Sequence, residues 1–349
     1  MKKTKGQFGF FDIENQLDKI YEINDFLPKL DTLIDWEMFR YQLNKVREKE
    51  RKSNAGRPAF DVVLMFKILV IKTMYNLSDD QTEMQIRDRI SFRAFLGLTF
   101  ADTVPDSKTI WDFAEQLRKL GLEEKLFDRF NKELDKQGFA TRSGYIVDGT
   151  FVEVPRQRNT KEENEQIKAG EVPERFEKNP NVLAQKDVDA EWAKKGDETH
   201  FGYENHVLAD EEFKFIRGFD VLGAATHDSV PYLDVMPMKP AYADQEALAD
   251  AAYVGDAIEK ELLKRGYVPL ICEKGYRGHP LTEAQKATNS VKASVRCRIE
   301  HIFGAQKMRM GNEILRSIGL SRARFWIGLR NLAYNMNRLV SLKRPKKAK

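Results

Sequence analysis

Tyr145-Ile146-Val147-Asp148-Gly149-Thr150-Phe151-Val152-Glu153-Val154 is a run of aromatic and β-branched residues broken near its centre by an aspartate and a glycine. That composition predicts a strand. A carboxylate inside such a strand is costly to bury unpaired. Asp148 is therefore either a strand-end residue in a surface turn or a group retained for chemistry.

Before this run the pattern is different. Up to about residue 140, apolar positions recur at spacings of three and four with few β-branched stretches, which predicts helices. Gly56-Arg57-Pro58 reads as a loop leading into a helix of about 15 residues, with Asp61 in its first turn and Val62, Val63, Phe66, Leu69 and Val70 inward. Ser78-Asp79-Asp80-Gln81 and Pro105-Asp106-Ser107 read as two further helix starts. Short helices joined by tight turns suit a DNA-reading helix-turn-helix, and equally plain helical packing. The change of pattern sets a domain boundary near residue 140, with residues 1–140 helical and 141–349 carrying the sheet.

After the strand, residues 156–200 are crowded with charge and lack periodicity, so they read as an inserted excursion, partly helical or mobile. A hairpin of Phe201–Leu208 and Phe213–Leu222 follows, then a helix start at Asp228 and a short strand around Ala247–Asp250. A helix over Gly255–Arg265, a strand at Val268–Cys272, a helix containing Glu300 and another over Ser321–Leu342 complete the chain. The order is that of a mixed α/β layer compatible with a ribonuclease-H-like fold, preceded by an all-helical N-terminal domain.

Length and charge narrow the function. With 349 residues, 42% hydrophobic and 32% charged, the chain suits two globular domains and excludes a disulfide scaffold or a fibre. Its longest nearly apolar run, Phe60–Ile71, is interrupted by Lys67 and falls short of a bilayer span. No signal-peptide core follows the basic start, and two cysteines without CxxC spacing fit a reducing compartment, so a cytoplasmic protein without a membrane partner is expected. The net charge of +4 hides an asymmetry: residues 286–349 hold 16 basic against two acidic groups, leaving 42 basic and 52 acidic groups upstream. A basic end of that strength predicts a polyanionic partner, most economically nucleic acid.

Three acids stand out by placement. Asp148 lies in its apolar strand, and Asp250 ends a short strand in Ala249-Asp250-Ala251-Ala252-Tyr253, where capping the next helix is an equal reading. Glu300 sits among basic neighbours and either pairs with Arg296 or serves a site. On one continuous helix Arg296, Glu300, Phe303 and Lys307 would form a single stripe, a carboxylate flanked by cations. Two or three carboxylates converging from different elements are what a hard divalent ion requires, and two such ions suit phosphodiester cleavage. The histidines show neither HxxH nor HExxH spacing, which argues against zinc. Trp192 reads as local packing rather than base stacking, and Cys297 as a small packing residue.

Together these segments resemble the DDE transposases of bacterial insertion sequences, in the group named after the fifth catalogued element. The resemblance runs from about residue 50 to 340. It is carried by Gly56-Arg57-Pro58, the Asp148 strand, His200-Phe201-Gly202-Tyr203-Glu204-Asn205-His206, Ala225-Thr226-His227-Asp228-Ser229, the Asp250 segment and the Glu300 helix. The family's signature of Tyr, two residues, Arg, three residues, Glu, six residues, Lys is met by Arg296, Glu300 and Lys307, while Ala293 stands at the tyrosine position.

The resemblance implies that Asp148, Asp250 and Glu300 are the catalytic acids and hold two magnesium ions, with manganese as a substitute. It also implies that Arg296 and Lys307 contact DNA phosphates, with Arg298 and Arg57 as further DNA-binding candidates. The expected partners are the terminal inverted repeats and target DNA, bound by a homodimer or larger assembly at the nucleoid. The expected activity is cleavage at the element ends followed by strand transfer. The rivals are a stand-alone nuclease of the same fold and a transposase-derived regulator that binds DNA without cutting.

Overall fold

The computed structural model describes residues 11–48, 58–227, 229–311 and 314–344. The chain divides into two compact units, residues 1–126 with 336–349 and residues 127–335.

The first unit is helical. It contains α1 (Asp12–Ile23), α2 (Phe26–Leu33), α3 (Arg40–Asn44), α4 (Val62–Met74), α5 (Asp79–Asp88), α6 (Ile90–Leu96) and α7 (Ser107–Lys119). The helix starts are set by side-chain caps. Asp61 precedes α4 rather than lying in its first turn, and its carboxylate accepts from the amides of Val63 and Leu64 at 2.9 and 3.1 Å. Ser78 and Gln81 form a reciprocal capping box on α5, and Asp106 accepts from the Thr109 amide at 2.7 Å. Helix α4 is apolar on every side and buries ten of its residues, the core of the unit. Trp36, Phe39, Phe66 and Phe95 pack edge-on or tilted around it. Gly56 and Arg57 lie outside the described residues.

Helix α8 (Leu122–Leu134) passes into the second unit. There six strands form one sheet: β1 (Gly144–Glu153), β2 (Glu191–Lys195), β3 (Glu198–Asp210), β4 (Ile216–Gly223), β5 (Glu246–Ala249) and β6 (Val268–Ile271). β1 is central, antiparallel to β3 and parallel to β5; β6 runs parallel to β5, and β4 and β2 are antiparallel to β3. The helices are α9 (Lys161–Lys168), α10 (Glu174–Glu177), α11 (Pro180–Leu183), α12 (Ser229–Val235), α13 (Asp256–Arg265), α14 (Glu283–Arg296), α15 (Glu300–Met310) and α16 (Leu320–Lys343), the last belonging to this unit up to residue 335.

Strand alternation divides the apolar residues into two cores. Tyr145, Val147, Leu208, Ala247 and Ala249 pack with Tyr232, Val235, Ile258 and Leu262 of α12 and α13. Val152, Val154, Phe201, Tyr203 and Val221 pack with Leu315 and with Ala323 and Ile327 of α16. Gly149 lets β3 approach closely: a Cβ there would meet the end of the Glu204 side chain, reaching over from β3.

Two of the expected element bounds differ. The charged excursion contains a strand, β2, and β3 begins at Glu198, before Phe201. β2 pairs along β3 from Glu191↔Gly202 to Lys195↔Glu198. Four of its five side chains are exposed, so it lacks the apolar alternation that announces a strand. Asp228 lies outside the described residues. Among the described residues, no helix is long and apolar enough to cross a membrane.

Candidate active site

Asp148 sits on β1 opposite Val207 of β3, only 7% exposed. The β1–β5 ladder pairs Ile146 with Leu248, and extending that parallel register by two residues brings Asp250 level with Asp148. Neighbouring strands are about 4.8 Å apart. Asp250 lies just beyond β5, where its carboxylate accepts from the Ala252 amide at 2.7 Å and starts the single turn Ala251–Tyr253. The capping reading of Asp250 is thus correct, and it is compatible with a place in the site, since the second carboxylate oxygen is not used by this bond.

Glu300 opens α15, and here the single-helix expectation fails. α14 ends at Arg296, and residues 297–299 form a tightened turn. The amides of Arg298, Ile299 and Glu300 bond back three residues, to Val295, Arg296 and Cys297, at 3.1, 3.0 and 3.2 Å. The turn carries Ile299 into the core, fully buried, and leaves Cys297 exposed rather than packed. Arg296 and Glu300 therefore belong to two helices. They still face one space.

That space is a cleft of about 820 Å³ lined by Asp148, Asp250, Glu300, Arg296, Phe303 and Lys307, and also by Phe151, Glu153, Lys195, Glu198 and His200. Arg296 Nη1 donates to Asp148 Oδ2, and the Gly149 amide donates to Asp148 Oδ1 at 2.9 Å. Burial pushes the Asp148 carboxyl up to about 6; the Arg296 guanidinium opposes the rise, and the negative charges of Asp250 and Glu300 add to it. Three carboxylates thus share one field with a single guanidinium answering the most buried of them. Arg298 is not among the lining residues: its guanidinium donates to Glu211 Oε1 at 2.8 Å and to the Glu211 carbonyl at 3.2 Å. Arg57 lies outside the described residues.

The donor set is all carboxylate, the chemistry of a site for hard divalent ions, and the repulsion of Asp148 by Asp250 and Glu300 is what a cation relieves. Among the described residues no three His, Cys, Asp or Glu side chains stand close enough to cage one ion. Arg296 occupies an oxygen of Asp148 that such a cage would use.

The far end of the cleft holds Glu153, which sequence reasoning left open as a further member of a metal cage, and His200, which it named only within a family-like segment. His200 Nδ1 lies 2.9 Å from Glu153 Oε1, and its ring stacks on Phe151 at 4.3 Å and 13°. Their meeting is a matter of register: Glu153 pairs with Gly202, which sets His200 diagonally across from Glu153, and register is invisible without the sheet. Trp192 packs on Phe201 at 4.9 Å with Arg156 over its ring, although it remains 45% exposed.

Two family profiles match the chain. One, described as "Transposase domain (DUF772)", matches residues 15–116; the other, "Transposase DDE domain", matches residues 140–336. The second covers more than half of the chain. The chain belongs to the DDE transposase family. It is thereby a nucleic-acid-processing enzyme, of a family that typically uses divalent metal ions. Among solved structures it is similar to a piggyBac transposase, determined by cryo-electron microscopy as a synaptic complex with hairpin DNA. That similarity has a TM-score of 0.43 and 11% identity over 96% of this chain and 76% of the other. At that score the likeness carries no argument.

Proposed function

We propose that this DDE transposase belongs to the insertion-sequence group named after the fifth catalogued element, cleaves DNA at the element's ends and transfers the freed 3′ hydroxyl into target DNA. The observation that carries the reading is that Asp148, Asp250 and Glu300 come from β1, the end of β5 and the start of α15 to line one cleft with Arg296 and Lys307. The strand order, with β1 flanked by antiparallel β3 and parallel β5, supports a ribonuclease-H-like catalytic domain.

In this reading Asp148, Asp250 and Glu300 are the catalytic acids and would hold two magnesium or manganese ions. Bound there, divalent ions supply activation of a water or 3′ hydroxyl and neutralise the leaving oxygen. The chain's own residues do the rest. Arg296 and Lys307 grip phosphate oxygens on either side of Glu300, and Arg296 leaves Asp148 as it does so. Arg298, outside the cleft, and Arg57 hold DNA backbone. Residues 1–140 recognise the terminal repeats, residues 141–349 carry the chemistry with an insertion at about 156–200, and the basic C-terminal end adds backbone contacts. Bringing two ends together requires a homodimer or larger assembly on DNA at the nucleoid.

The test is cleavage and joining of DNA carrying the element's own end, with magnesium. The intact chain is compared with Asp148→Ala, Asp250→Ala and Glu300→Ala. All three variants are expected to bind the end and neither cut nor join. An intact chain that binds but never cuts would reduce the protein to a regulator, and cutting without joining would make it a nuclease.

A further inference from the structure

Glu300 and Lys307 reach the cleft from α15, whereas Asp148 reaches it from the sheet, so their separation depends on what fixes that helix to the strands. Its apolar side chains Ile302, Phe303 and Met310 are buried, but apolar contacts tolerate sliding and rotation. A directional tie exists beneath them. Gln306, one residue before Lys307, donates from Nε2 to Asn331 Oδ1 at 2.9 Å. Asn331, on α16, exchanges two hydrogen bonds with Asn205 of β3, each 3.2 Å. Asn205 lies opposite Thr150 of β1, two residues beyond Asp148. All three amides are buried, at 0%, 0% and 1% exposure for Gln306, Asn331 and Asn205.

Stability does not explain this trio. Gln306 Oε1 is buried without a hydrogen-bond partner, and a partly satisfied buried network is a poorer stabiliser than apolar packing of the same shape. What amides supply and aliphatic groups do not is direction. We propose that Asn331 is a positioning residue: with Asn205 and Gln306 it sets the register of α15 on the sheet, and so the distance from Glu300 and Lys307 to Asp148. The consequence for ion binding rests on the function proposed above; the register itself does not.

The experiment compares three full-length chains: the unaltered protein, Asn331→Leu, and the triple variant Asn205→Leu, Gln306→Leu, Asn331→Leu. The single variant strands two amides, whereas the triple removes every polar group of the trio. Thermal unfolding, hydrogen exchange across residues 300–310 and manganese binding by calorimetry are measured on each. The expected result is a lowered melting temperature for Asn331→Leu and substantial recovery in the triple variant. In both, exchange in α15 is at least tenfold faster. Manganese affinity falls by roughly 10- to 100-fold, the scale on which supporting contacts of metal ligands act.

If the triple variant regains slow exchange, or if Asn331→Leu leaves exchange unchanged, the positioning role is overturned. Manganese affinity fully restored in the triple variant overturns its link to the site. If the unaltered chain binds no manganese, the proposed function fails while the exchange result still decides the register claim.

Discussion

Replacing Asp148 by Asn tests the site through folding alone, with no substrate. The Asp148 carboxyl is raised from an ordinary 3.8 to about 6, chiefly by burial, with Asp250 and Glu300 adding to it. Near pH 3 and below, folded and unfolded chains are both protonated there, and the group contributes nothing to pH dependence. Between the two values the unfolded chain ionises while the folded chain keeps its proton, so stability falls as pH rises. Above about 6 the full cost is present. A shift of about two units corresponds to roughly 3 kcal/mol, of which about 2.5 kcal/mol develops between pH 4 and 7.5. Asn cannot ionise, so Asp148→Asn lacks this slope. Urea denaturation of both full-length chains across that range is expected to show the variant gaining about 2.5 kcal/mol on the parent as pH rises. Loss of the Arg296 partner offsets the two curves without removing the pH trend. A difference that stays flat with pH refutes the picture of a buried acid held in a negative field.

Magnesium at pH 7.5 should raise the stability of the parent chain and not that of Asp148→Asn, read as a shift in the urea midpoint. Arg296→Ala removes the cation that opposes the rise at Asp148. Its carboxyl should then ionise at higher pH, and the onset of manganese binding should move to higher pH in a calorimetric titration series. Gly149→Ala brings a Cβ against the end of the Glu204 side chain, which must shift, and should cost about 1 kcal/mol of stability in urea. Ser78→Ala, which opens the capping box of α5, should cost about 1 kcal/mol without altering manganese affinity.

The central strand was legible because Tyr145–Val154 combines β-branched and aromatic residues in a way helices rarely do, and the caps at Ser78 and Asp106 because a polar side chain before an apolar period has one common use. β2 was not legible. It is a charged, mostly exposed strand whose pairing with β3 is written in backbone hydrogen bonds, and backbone carries no sequence signal. The break between α14 and α15 was hidden for a related reason. Arg296, Glu300, Phe303 and Lys307 have the spacing of one helix face, and only the burial of Ile299 and the tightened backbone bonds reveal the break. The acids themselves could be nominated from their placement and from family resemblance. That Arg296 closes on Asp148, and that His200 joins the same cleft, depends on tertiary register.

The three carboxylates lie 102 and 50 positions apart in the chain, on elements that meet only when the sheet closes. During synthesis, then, the cleft lined by these three acids is incomplete until residue 300 and the helices behind it have left the ribosome and docked. A message broken or terminated before that point yields a product without the third acid. On the function proposed above, the ability to cut therefore arrives only after Glu300 has joined Asp148 and Asp250 in the cleft.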